Sequence, residues 1–138
     1  MFTFPTLEWL QELQRILNES NEYRQAGKNW EGALTLISEP DDTYNEPIYI
    51  WINPYRGQVL DVAQMNSPDE KPAPFVLTGT YSTWKSIVKG ELDPIKSIMK
   101  GKITVDGDVS YLVTQVKQAQ ALLKGLRQVE TRFIDEMG

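Results

Sequence analysis

The chain of 138 residues has neither cysteine nor histidine. Without cysteine there is no disulfide, no thiolate metal site and no thiol nucleophile, a usage that fits a reducing compartment. Without histidine the commonest general base, the commonest metal ligand and the usual switch near neutral pH are missing. A Ser–His–Asp triad cannot be assembled. No apolar run approaches the ~20 residues that span a bilayer, and the first residues lack the basic stretch and apolar core of a secretory leader. Positive charge is also scarce. The net charge is −5, and the nearest thing to a basic patch is Lys85, Lys89, Lys96, Lys100 and Lys102. Nucleic acid is therefore not an expected partner, and a cytoplasmic location is expected. What remains is ordinary for a globular protein, 41% apolar and 24% charged. The length suits one domain, residues 1–138, with a real core.

Hydrophobic periodicity gives the elements. Phe4 to Gln25 reads as a helix with Thr3 or Thr6 at its start, Pro5 in its first turn, and Leu7, Leu10, Leu13 and Leu17 as its stripe. Its expected role is to cover a sheet, with a lid over a pocket as the alternative. Trp30–Ser38, Ile48–Asn53 and Gln58–Gln64 read as strands joined by short loops, an antiparallel meander. In the second of these both faces are apolar, Ile48, Ile50 and Ile52 on one side, Tyr49 and Trp51 on the other. The Asn66–Pro74 loop is long enough to cross the sheet before a fourth strand, Phe75–Thr80.

Two short helices follow, Ser82–Lys89 and one opened by Asp93-Pro94, cap then first-turn proline. Gly90 and Gly101 end them. Ile103–Val105 is a short strand, Asp106-Gly107 a turn, and Asp108 the cap of a last helix. That helix is expected to run from Val109 to Met137 with the stripe Leu112, Val116, Ala119, Leu123, Leu126, Val129, Phe133 and Met137, strained at Gly125. Strands grouped beside segregated helices argue α+β.

Few residues suggest reaction chemistry. Asp106-Gly107-Asp108 lacks the alternating ligands and closing glutamate of a calcium loop; turn plus cap explains it. Gly101 and Gly107 flank a strand and form no nucleotide-binding motif. Asp41-Asp42 and Asp69-Glu70 lie in polar loops, where solvation is the simpler role. No cofactor and no metal are expected, and an enzyme would need carboxylate, hydroxyl, tyrosine or lysine chemistry. The apolar residues are more telling. Trp9, Trp30, Trp51 and Trp84 each need an apolar wall, and Met99 is an adaptable one.

One stretch carries a family pattern. Thr78 and Thr80 end a strand; Gly90-Glu91-Leu92-Asp93-Pro94 links two helices; Gly101-Lys102-Ile103 and Gly107-Asp108 lead into the last helix. In this combination Phe75–Asp108 resembles the sterol carrier protein type 2 (SCP-2) family, while Trp30–Gln64 matches it in element order. The resemblance implies an α+β, SCP-like fold. Its five-stranded sheet has the order helix, three-strand meander, crossover strand, two short helices, strand, long C-terminal helix, with helices around an apolar cavity. It also implies non-enzymatic binding and intracellular transfer of a lipid: a fatty acid, acyl-CoA, phospholipid or sterol-like molecule. Contact with membranes would be at most transient. The C-terminus Asp135-Glu136-Met137-Gly138 is not a peroxisomal address.

On this reading the cavity wall comprises Tyr49, Trp51, Phe75, Leu77, Trp84, Ile87, Ile95, Met99, Ile103, Leu112, Leu123 and Leu126. Lys85, Lys89, Lys100 and Arg56 are the cations a head group could meet at the rim. Burying about fifteen methylenes at ~0.8 kcal/mol each supplies ample free energy before association costs. The rival reading is an interaction module with a filled core that forms a homodimer through the C-terminal helix.

Overall fold

The computed structural model describes residues 1–137. The chain opens with a short strand, β1 (Phe2–Phe4), and a cis Phe4–Pro5 bond. Thr6 then starts helix α1 (Leu7–Glu19), its hydroxyl accepting from the Trp9 amide. The helix does not continue to Gln25. Ser20 adopts extended backbone and caps a separate helix, α2 (Asn21–Ala26), by accepting from Tyr23 N. Serine hydroxyls compete for backbone groups in this way, so a residue that looks neutral in the pattern splits the helix.

The first long strand starts later than its alternation suggests. Trp30 lies outside it, buried, with its indole N–H donating to Gly32 O at 2.8 Å. Gly32, at φ 141°, turns the chain into strand β2 (Leu34–Glu39). Strands β3 (Ile48–Tyr55) and β4 (Gln58–Met65) complete the antiparallel meander. Strand β5 (Phe75–Thr80) then returns parallel to β2.

Helices α3 (Tyr81–Val88) and α4 (Pro94–Met99) are capped by Thr80 and Asp93. Strand β6 (Thr104–Asp106) pairs antiparallel with β5, giving a five-stranded sheet of order β4-β3-β2-β5-β6.

The last segment departs most from its periodicity. It is not one helix to Met137. Asp108 caps a single turn, α5 (Val109–Leu112), which stops where the Thr114 hydroxyl donates to Tyr111 O. Helix α6 (Val116–Gln128) follows, then strand β7 (Thr131–Phe133) and a 3₁₀ turn, Ile134–Glu136. β7 pairs parallel with β1 in a small second sheet, joining the two chain ends. Phe133 meets Phe4 edge-on, and the Trp9 indole donates to Thr131 Oγ1 at 2.9 Å. Of the stripe that suggested a dimer face, Val129 and Phe133 are buried within the chain, whereas Val116 and Met137 stay exposed. Gly125 does not break α6; it brings the helix close to Leu17 of α1.

Helices α1, α3 and α6 gather on one face of the sheet, toward which β2 and β3 present Leu34, Leu36, Ile48, Ile50 and Ile52. Tyr49 and Trp51 point to the opposite face.

Candidate functional site: an apolar cavity between sheet and helices

A cavity of about 180 Å³ lies between the sheet and the helix layer. Its floor is Leu34 and Leu36 of β2, Ile48, Ile50 and Ile52 of β3, Val59 and Val62 of β4, and Leu77 of β5. Its roof is Trp9, Leu10, Leu13 and Leu17 of α1, Trp84, Ile87 and Val88 of α3, Ile95 and Ile98 of α4, and Leu122 and Leu126 of α6. Leu34 and Leu36 sit on the central strand, yet they stay only half-buried while Thr35 between them is 1% exposed. A side chain that faces inward and still keeps free surface is next to a void. Engineered apolar cavities of ~150 Å³ stay dry and bind benzene, so this space is large enough to take up part of a lipid without rearrangement.

The wall carries no charged side chain. Several of its polar groups are already engaged. The Trp84 indole N–H donates to Ile37 O at 2.9 Å, and the Gln14 amide to Val59 O at 3.0 Å. Two buried atoms find no partner among the described residues, Ser38 Oγ and Gln118 Oε1. The end of the cavity around Ser38 is closed by buried side chains, Ile48 opposite it on β3 and Trp84, whose indole binds the adjoining Ile37 carbonyl. Elsewhere in the wall, Pro94 and Ile95 of α4 are half-buried, as are Gln115 and Gln118 at the start of α6, where Gln118 meets Tyr23 of α2.

The roof is held at one end by an ionic cluster. Lys85 of α3 reaches Asp135 at 2.9 Å and Glu136 at 2.6 Å, and the Tyr81 hydroxyl donates to Asp135 at 2.7 Å. Burial alone would raise the Asp135 pKa, but the hydrogen bonds from Lys85 and Tyr81 outweigh it and hold the carboxyl below its usual range. Burial, and then the hydrogen bond to Asp135, pushes the Tyr81 phenol up. A second brace is Asp41, which accepts from the Ser82, Thr43 and Tyr44 amides. The carboxylate next to Asp42 therefore ties its loop to α3 rather than being merely solvated.

Of the residues expected in the wall, Leu77, Trp84, Ile87, Ile95, Leu112 and Leu126 are there. The other six stand elsewhere. Tyr49 and Trp51 lie on the opposite face of the sheet, where Trp51 donates to Pro72 O and carries the Lys71 ammonium over its ring. The cavity lies within the core, so the isoleucine side of β3 forms its floor. Phe75 is buried behind the Trp30 ring, 5.1 Å away, and it is Trp30 that reaches the cavity. Ile103 packs beside Gly79, Met99 is 73% exposed, and Leu123 packs partly buried against the core beside a separate polar hollow. Alternation and the α1 stripe could have identified the missed residues Leu10, Leu13, Leu17, Ile48, Ile50 and Ile52. Nothing in the pattern marked Gln115 or Gln118.

Among the rim cations, Lys85 is taken by Asp135 and Glu136, Lys89 by Glu91 and Arg56 by Glu31. Lys100, with Lys96, Lys102 and Arg127, lines a separate polar hollow on the outer side of α4 and α6. Asp108 spends a carboxylate oxygen on the Tyr111 amide as a helix cap. Among the described residues, no helix is long and apolar enough to cross a membrane, and no group of three acidic residues is placed to hold a metal ion.

Comparison with known proteins agrees with this fold. The chain is similar to a crystal structure of sterol carrier protein 2 at 30% identity and a TM-score of 0.80, covering 90% of this chain and 97% of that one. It is similar at 29% identity and a TM-score of 0.82 to a conserved hypothetical protein of Thermus thermophilus, there suggested to be a sterol carrier protein, over 92% of this chain and 90% of that one. Sterol carrier protein 2 of Yarrowia lipolytica, without ligand, shares the fold at 16% identity and a TM-score of 0.57, over 86% of this chain and 89% of that one. No curated protein matches the chain. The model of the SCP-2 sterol transfer family matches residues 10–121, which takes in the sheet, most of the roof and the closed end at Ser38, and the chain belongs to that family.

Proposed function

We propose that this protein, acting as one lipid-binding domain, takes up a lipid non-covalently in the cavity between its sheet and its helices and carries it through the cytoplasm. The observation that carries this reading is the cavity itself, with a wall that is apolar except for a few neutral groups and has no charge. Such a wall attracts hydrocarbon, and its hydroxyls have no charged base or metal ligand beside them, so uptake and release are its chemistry and no bond is made or broken. The cavity also favours a carrier over an interaction module with a filled core. A long lipid enters past the half-buried wall residues Pro94 and Ile95 by displacing the short helix α4, and membrane contact lasts only as long as this exchange.

The tryptophans provide the test. Trp9, Trp30 and Trp84 line the cavity, whereas Trp51 lies on the other face. Titration with a fatty acid brominated along its chain should quench most of the tryptophan emission. A Trp51→Phe variant should be quenched to a larger fraction, because its unquenched emitter is gone. Quenching confined to Trp51, or none, contradicts the proposal.

A further inference from the structure

The closed end of the cavity has a feature that an apolar ligand does not explain. Ser38 is 5% exposed, and its Oγ has no hydrogen-bond partner among the described residues. Its place in β2 aims it inward with Leu34 and Leu36, by the two-residue alternation of a strand. The neighbouring donor, the Trp84 indole N–H, is already given to Ile37 O. Leaving a buried hydroxyl unpaired costs more than a made hydrogen bond contributes net, so a ligand that pairs it relieves that cost. No charged side chain lines the cavity, so an ionised carboxylate or phosphate at this end would be desolvated without compensation. A hydroxyl can donate to a neutral oxygen or accept from one.

We propose that Ser38 is the hydrogen-bonding site for an uncharged oxygen of the ligand. The ligand is then a lipid alcohol or ketone lying with its polar end inward at the closed end of the cavity, a claim that rests on the lipid-binding reading above. The other unengaged atom, on Gln118, lies toward the opposite end of the wall, and one end of its amide stands 3.5 Å from the Tyr23 hydroxyl. It is the competing anchor, and its use would reverse the ligand.

The test measures 1-dodecanol, dodecanoate and dodecane binding, by displacement of a fluorescent fatty-acid probe, to the wild type and to Ser38→Ala and Gln118→Leu. Ser38→Cys serves as a near-isosteric second variant should the alanine fail to fold. The expected result is that Ser38→Ala weakens dodecanol about five- to tenfold, leaves dodecane unchanged or tighter, and lowers no melting temperature. Equal effects on alcohol and alkane, or no effect, overturn the proposal. So does selectivity carried by Gln118→Leu instead. If the wild type binds none of the three, the lipid-binding reading itself fails, which is a separate outcome from loss of head-group selectivity.

Discussion

Leu36 and Trp51 stand on paired strands but face opposite sides of the sheet, and the account depends on that difference. Leu36→Trp should fill the floor of the cavity and weaken lipid binding about tenfold or more, with the far-ultraviolet circular dichroism unchanged. Trp51→Ala should leave binding as it is, because its ring packs with Lys71 and Pro72; a displacement titration of both variants checks this. The Asp135 carboxylate carries a pH prediction. Its folded pKa lies below the unfolded value of ~3.9, so its contribution to stability is present above about pH 4. That contribution is lost as pH falls through the folded pKa. Asp135→Asn should cost about 2 kcal/mol at pH 7, and its gap from wild type in urea denaturation should shrink as pH falls below about 4 and through the folded pKa. At this scale the sequence spoke clearly where one side chain acts on nearby backbone, as at Thr6, Asp93 and Asp108. It was silent on Lys85–Asp135, whose partners are 50 residues apart.

Among the elements, α6 shows how a periodic pattern can mislead. The apolar stripe continues through Val129 and Phe133, yet these residues serve a turn and β7, because the unpaired strand at Phe2–Phe4 needs a partner. A helix pattern alone cannot register a strand 129 residues away that offers backbone hydrogen bonds. The short helices were legible because caps and prolines define them locally. Gly125 read as a weak point, and the structure gives it a purpose: a Cβ there would stand 2.6 Å from Leu17 Cδ2. Gly125→Ala gains about 1 kcal/mol of helix propensity but overpacks the α1–α6 contact by about 1–3 kcal/mol. A net loss of about 1 kcal/mol is expected, read as a lower urea midpoint. Helix α4 is short, and its Ile95 and Ile98 line the cavity. Its amides should exchange early by hydrogen–deuterium exchange and gain protection when lipid is added, more than those of β2 and β3.

For the whole molecule, the meander, the crossover to β5 and the two-layer α+β arrangement followed from strand spacing, loop length and the grouping of helices. The cavity did not, since its existence depends on how far the roof stands from the floor, a distance no pattern encodes. The half-filled choice of wall residues has the same origin: either face of β3 was apolar enough to line a pocket, and only the placement of the helices decides between them. The central claim is that this space holds a lipid. Native mass spectrometry of the purified protein, before and after adding long-chain alcohols, fatty acids, acyl-CoAs and phospholipids, tests it directly. A one-to-one adduct is expected, present on purification or formed on addition, and Leu36→Trp should abolish it. A protein that keeps its bare mass in every mixture would contradict it.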